Sequence, residues 1–468
     1  MKQTNEEKLK RKNVELKKEL ELSKKKVKSL ESKLSTSEKK RKALQSSTEK
    51  KKDQYIPLSR IKRHNYPEFI VKLCVLLYVR TRCGFRGVVT IISILNELLH
   101  LDLKEPCFNS IENWVKKSGF SIYKEPAEKL KKEEYAVIVD ESMMIGSQKI
   151  LMTLGVEAKH KGKALSHSDV EILGITVRPS WNGEAITSEL KDISKKVGHN
   201  PLYAISDNAS TMNKGIRESN LLHIRDISHT LGLIMKRIYD KDEEFNSYMK
   251  ELSQVKFKQV MNPVAYLLPP KQRTIARFIN LSQVVEWSNK ILMNYYNLTE
   301  QERKIFSFIL RYASFIDELQ NVLSCINSIE HEVKQKGLSI NSLTNCMGYI
   351  KQSLFTGNER MIKIGEQIVQ YLREETKKIP ENNTCWNASS DVLESFFGVF
   401  KARKSPNLLH GVTPFVLFLP VYARLSKKSN FDFKKSLESV FMSDIETWKK
   451  EKLFENQVYK RTKKLKIA

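Results

Sequence analysis

Two short apolar runs in this sequence each end in an acidic residue. Tyr135-Ala-Val-Ile-Val leads into Asp140, and Leu202-Tyr-Ala-Ile-Ser leads into Asp207. Runs of this length bounded by polar segments read as buried strands, and the carboxyl ends of such strands are where open α/β sheets carry chemistry. A third acidic block, Ser389-Ser390-Asp391-Val392-Leu393-Glu394, opens a helix with a broad apolar face of Val392, Leu393, Phe396, Phe397 and Phe400. Carboxylates from such places are hard oxygen donors of the kind Mg²⁺ takes. Each block also has a structural reading. Asp207 before a helix is a good N-cap, and Asp391 with Glu394 fits a capping box. Glu141 follows Asp140 directly, so strand alternation aims it at the opposite face, outside the site.

The elements that must position these acids follow from periodicity. After the Asp140 strand come two more β-rich runs, Lys149–Val156 and Val170–Val177. A helix over 184–197, the Asp207 strand, a helix over 208–219 and a short strand over 223–227 complete the series. This order predicts a mixed sheet with helices packed on it. From Thr230 to about Lys378 the pattern is helical, broken chiefly over 255–273, and a further helix is expected from Trp386 to Lys401.

Ahead of the sheet, residues 57–123 read as short amphipathic helices over 69–79, 88–101 and 108–117. In the third, Ile111, Trp114 and Val115 share one face, while Asn109, Ser110, Asn113, Lys116 and Lys117 lie off it. A helix-turn-helix recognition helix needs one packed side and one polar, basic side for the major groove. A small helical bundle with a basic surface is the other reading. Residues 1–56 contain neither Gly nor Pro up to Lys52. They carry a heptad with Asn13, Leu20, Val27, Leu34 and Arg41 at a, and Leu9, Leu16, Ser23, Leu30, Ser37 and Leu44 at d. That seam predicts a basic coiled coil, with a lone charged helix as its alternative.

The chain has 468 residues and a net charge of +27, of which +13 falls within residues 1–64, where 22 Lys and Arg face 9 Asp and Glu. A surplus of this size points to a polyanionic partner, nucleic acid before an acidic membrane surface. Six scattered cysteines without a C-x-x-C pair write neither a zinc finger nor a disulfide framework. The charged N-terminus carries no secretory signal, and the most apolar window, 69–79, is too short to span a bilayer. The expectation is a soluble, non-secreted protein of a reducing compartment: nuclear in a eukaryote, cytoplasmic or nucleoid-associated in a prokaryote.

The blocks Val139-Asp140-Glu-Ser-Met-Met-Ile-Gly146, Ser206-Asp207-Asn-Ala-Ser-Thr and Ser-Ser-Asp391-Val-Leu-Glu394-Ser-Phe-Phe-Gly resemble the three acidic blocks of DDE transposases with an RNase H-like core. The long helical insertion before the third acid is similar to the layout of hAT-type cut-and-paste transposases. Asp226-Ile-Ser-His229 resembles the C/D-x-x-H block of several such superfamilies. The resemblance covers about residues 69–420. It implies an RNase H-like first part over 124–230, an α-helical insertion over 231–385, the final core helices over 386–425 and a basic helical tail over 426–468.

The same resemblance implies cleavage and strand transfer at phosphodiester bonds with two Mg²⁺ or Mn²⁺ ions about 3.5–4 Å apart. Asp140 would bridge both ions, Asp207 and Glu394 would complete one each, and His229 would approach the scissile phosphate with Asp226 orienting its ring. A packed histidine is the alternative for His229. No G-x-x-x-x-G-K-[ST] loop is present, as fits a reaction that needs no ATP. The implied partners are double-stranded DNA, as element ends and target, and further copies of the chain in a homodimer or larger oligomer. Trp287 in the insertion is placed where hAT-type enzymes stack a flipped base. Arg273, Arg277, Lys401, Arg403 and Lys404 are the expected phosphate contacts. The zinc finger at the front of many hAT proteins is missing, and the coiled coil and helix-turn-helix-like segment stand in its place. Two other functions stay open: a non-catalytic DNA-binding or scaffold derivative, and an RNase H-like nuclease acting on RNA or hybrids, which a major-groove-reading helix disfavours.

Overall fold

The computed structural model describes residues 2–52, 59–100, 104–126, 128–145, 148–271, 281–380, 384–426 and 431–466. Contacts divide the chain into two units, Met1–Arg60 and Ile61–Ala468. In the first, one helix spans Lys2–Lys52. With 51 residues it is about 77 Å long. Leu16, Leu20, Val27, Leu30 and Leu34 on its expected seam are each 53–64% exposed.

The second unit is built on a five-stranded sheet: β1 (Tyr135–Ile145), β2 (Gln148–Glu157), β3 (Val170–Arg178), β4 (Tyr203–Ser206) and β5 (Leu222–Arg225). The strand order is β3-β2-β1-β4-β5. β2 runs antiparallel to β1 and β3, whereas β1, β4 and β5 are mutually parallel. Parallel neighbours require crossovers. The helices Gly183–Val197, before β4, and Ser210–Glu218, between β4 and β5, occupy those places.

Strand alternation sorts the sheet into two buried faces. Tyr135, Val137 and Val139 of β1 join Ala204 of β4 under Ile186, Leu190, Ile193, Met212 and Ile216 of the two crossover helices. Ala136 and Ile138 of β1 join Tyr203 and Ile205 of β4 in the larger core, which runs on into the N-terminal helices, the insertion and the C-terminal helices. Residues 137–139 are fully buried. A sheet covered on both sides explains why these strands read as unbroken apolar runs.

The expected fold class of an α/β sheet with helical material on either side of it in sequence is what forms, with several boundaries moved. β1 does not stop at Asp140 but continues to Ile145 through an irregularity between Asp140 and Met143. β5 ends at Arg225, because Asp226 accepts the His229 N–H at 2.7 Å and caps the helix Ile227–Tyr239. The insertion helix Glu243–Gln259 runs past the expected break at 255. The helix expected from Trp386 starts instead at Asp391. Trp386 is held extended by bridges to Lys159 and Leu338, with its ring stacked on Tyr203 at 4.3 Å.

The helices Glu68–Arg80, Phe85–Leu99 and Phe108–Lys124 match the expected N-terminal set. They belong to the same compact unit as the sheet. Ile111, Trp114 and Val115 are buried as expected, but further faces of the same helix are covered as well. Elements over 414–425, 433–438 and 442–452 and strand β3 all pack against it. A Cβ on Gly119 would fall 1.8 Å from the Leu417 carbonyl oxygen, so glycine there permits the close approach.

Candidate active site

Asp140 and Asp207 are related through strand register. Ile138 of β1 lies directly opposite Ile205 of β4 on a parallel neighbour, and each acid stands two residues further along its chain. Parity aims Asp140 toward the larger core, in the row of Ala136 and Ile138, while Asp207 lies just past the last residue of β4. Both are partly exposed. Glu141 goes the other way as expected. One of its oxygens lies 3.4 Å from Lys149 Nζ, and the other is buried without a hydrogen-bond partner.

The helix Asp391–Arg403 packs against β1 on the side that Asp140 faces. Its apolar stripe, Val392, Leu393, Phe396, Phe397 and Phe400, is buried, and Glu394 lies off it. Glu394 is exposed, yet partial loss of water raises its carboxyl above the usual range. Asp391 and Asp226 raise it further, against His229 and Lys334. His229 is therefore in the neighbourhood of the third acid.

The capping readings of these acids do not hold. The helix after Asp207 has Ala209 as its N-cap with no side-chain cap bond, and Asp207 instead accepts the Ala209 N–H at 3.2 Å. Ser390 caps the Asp391 helix, again without a side-chain cap bond. Asp391 accepts from Lys334 Nζ at 2.7 Å and from Ser228 Oγ at 3.3 Å. Asp226 meets His229 through the backbone N–H; its second oxygen accepts the Ser390 N–H at 2.6 Å and the Ser390 hydroxyl at 3.0 Å. The expected bond from Asp226 to the imidazole is replaced by these contacts.

Beside the acids lies a network that no sequence signal announced. Ser206 Oγ donates to the Asp207 carbonyl and lies 2.9 Å from His223 Nε2. Lys378 Nζ donates to the His223 carbonyl and to Glu375. Fully buried Glu375 also accepts from the Arg225 backbone and side chain. Glu375 and Lys378 come from the insertion, so the insertion braces the β4 and β5 ends from which Asp207 and Asp226 project. They were invisible in sequence because they are ordinary charged residues, one on and one just past a helix, about 150 positions from their partners.

The expected DNA contacts fare differently from one another. Lys401 is exposed, and Lys404 donates to the adjacent Ser405 carbonyl at 3.1 Å. The Arg403 guanidinium bonds the Tyr78, Val79 and Thr81 carbonyls at the end of the helix Glu68–Arg80 and lies over the Tyr78 and Phe418 rings. It satisfies orphan carbonyls at a helix C-terminus, which removes it from the free phosphate donors. Trp287 packs edge-on against Phe306, with its indole N–H donated to the Leu267 carbonyl at 2.9 Å, and so occupies a packing position. Arg273 and Arg277 lie outside the described residues. Asn109 is exposed, Ser110, Asn113, Lys116 and Lys117 are half-buried, and Lys116 pairs with Glu112 at 2.5 Å. Burial, then Lys117's cationic neighbour Arg63, pushes the Lys117 ammonium below its usual value.

Among the described residues, no three His, Cys, Asp or Glu side chains are grouped so as to hold a metal ion, and no helix is long and apolar enough to cross a membrane. No protein-family model matches the chain, and a search of curated proteins finds no match.

Proposed function

We propose that this chain is a DNA transposase of the DDE type on an RNase H-like core, acting on phosphodiester bonds with Asp140, Asp207 and Glu394 as its acidic set. The observation that carries this reading is that β1 and β4 are adjacent parallel strands, with Asp140 two residues beyond Ile138 and Asp207 two beyond its partner Ile205, just past the end of β4, and that the Glu394 helix packs against β1. The order β3-β2-β1-β4-β5 with β2 reversed supports the RNase H-like assignment. The helices between Ile227 and Thr376 support an insertion ahead of the third acid, and the charge of +27 supports a DNA partner.

The carboxylates have the chemistry a divalent ion needs, but in this arrangement they do not form a ligand group of three. The chain's own contribution is to carry Asp140 on β1, Asp207 just past the end of β4 and Glu394 on the helix that packs against β1, with His229 in the electrostatic neighbourhood of Glu394. In a DDE reaction water and then a DNA 3′-hydroxyl attack phosphorus, and no protein nucleophile is required.

The unassembled acidic group favours a second reading: a nucleic-acid-binding derivative of such an enzyme that no longer cleaves. One experiment separates the two. End-labelled duplex DNA is incubated with the full chain and increasing Mn²⁺, and Mn²⁺ binding is followed in parallel by electron paramagnetic resonance. Metal-dependent nicking that Asp140→Asn, Asp207→Asn and Glu394→Gln each abolish, with DNA binding retained, supports the enzyme. Saturable DNA binding with neither Mn²⁺ uptake nor nicking supports the derivative and ends the catalytic reading.

A further inference from the structure

Asp226 is 2% exposed, at the junction of three elements. Its own N–H donates to the Ser206 carbonyl at 2.8 Å, which ties it to the end of β4 one residue before Asp207. One carboxylate oxygen takes the His229 N–H, as an ordinary helix cap would. The other reaches a segment 164 residues away and accepts both the N–H and the hydroxyl of Ser390. The next residue, Ile227, donates its N–H to the Ala388 carbonyl at 2.9 Å.

A cap alone would not need a carboxylate here. Serine or asparagine satisfies an N-cap without the cost of burying a charge, and this charge also sits close to Asp391 and Glu394. What asparagine cannot do is accept on both sides at once. Its amide nitrogen would meet either the His229 N–H or the Ser390 N–H, donor against donor. A carboxylate is the side chain of this length that accepts all three bonds.

We propose that Asp226 is a positioning residue: its buried carboxylate clamps the start of the Glu394 helix to the end of β5 and so sets where Glu394 stands relative to His229. The kinetic consequence rests on the catalytic reading above; the clamp itself does not.

Hydrogen exchange followed by mass spectrometry on the full chain tests it. In Asp226→Asn, amides over 388–394 are expected to exchange about tenfold faster, with the rest of the chain unchanged, as loss of a charge-assisted bond with no replacement requires. Ser390→Ala, which removes only the hydroxyl contact, is expected to give a smaller acceleration in the same segment. It decides the matter should Asp226→Asn not fold. Where the wild type cleaves DNA with Mn²⁺, Asp226→Asn is expected to lower kcat at least tenfold and leave KM for DNA unchanged, a split that general loss of folded protein does not mimic. Unchanged exchange over 388–394, or faster exchange spread evenly through the sheet, overturns the clamp. A wild type that does not cleave removes the catalytic reading and leaves the exchange result standing.

Discussion

Asp140 and Asp207 each stand two residues beyond a directly opposed couple, Ile138 and Ile205, on neighbouring parallel strands. Both are partly exposed, so replacing either with asparagine is expected to change stability by no more than about 1 kcal/mol. On the catalytic reading, the same substitutions cut Mn²⁺-dependent cleavage by roughly 10²-fold or more. Urea unfolding and a nicking assay on the same preparations check both; a large loss of stability would instead make the acids structural.

Arg403 separates a structural role from DNA contact. Arg403→Ala breaks charge-assisted bonds to three carbonyls at the end of the helix Glu68–Arg80 and is expected to cost about 2–3 kcal/mol. The slope of DNA affinity against salt is expected to stay the same. A slope reduced by about one, with stability intact, would return Arg403 to the phosphate contacts.

Glu375 is fully buried between Arg225 and Lys378. Glu375→Ala leaves the Arg225 guanidinium without its main partner and is expected to cost about 3–5 kcal/mol. Arg225→Met with Glu375→Leu is expected to cost less than Glu375→Ala alone. Equilibrium unfolding of the two variants decides whether the insertion is braced at this point.

His223 sets a pH dependence with a definite sign. Burial, then Lys378, lowers its imidazole from 6.5 to about 4. The folded chain keeps it neutral over a range in which the unfolded chain protonates it, so its stabilisation is complete above pH 6.5 and is lost as pH falls toward 4. The loss reaches about 3 kcal/mol. His223→Gln is expected to flatten the stability profile between pH 6.5 and 4; an unaltered profile would place the titration elsewhere.

The helix Lys2–Lys52 leaves Leu16, Leu20, Val27, Leu30 and Leu34 largely exposed. If a second copy covers this seam, analytical ultracentrifugation of the full chain is expected to show a dimer, and Leu20→Glu with Leu30→Glu a monomer. A monomeric wild type at micromolar concentration would assign the segment to a lone charged helix.

The strands were legible because burial on both faces demands unbroken runs of β-branched and aromatic residues, as at Tyr135–Val139. Their ends were not, because a strand such as β1 stops where pairing stops, and Met143 to Ile145 still pair with β2. The start of the third-acid helix was misplaced for a similar reason: Trp386 has no local preference strong enough to resist stacking on Tyr203. Arg403 and Trp287 read as DNA contacts because an exposed cation or ring and a packed one are the same letter in a sequence. Their partners, Tyr78 to Thr81 and Leu267 with Phe306, were chosen by the fold.

The sequence by itself determined the excess of positive charge, the alternation that turns Asp140 and Glu141 to opposite sides, and the succession of strands and helices, since these depend on residue type and short-range spacing. Tertiary structure decided which strands became neighbours, and hence that Asp140 and Asp207 each follow one member of a paired couple on β1 and β4. It also decided that Asp226 joins β5 to the Glu394 helix and that the Phe108–Lys124 helix is packed on several sides. Those outcomes depend on contacts between positions as many as 300 residues apart, where burial and register, not local preference, carry the free energy.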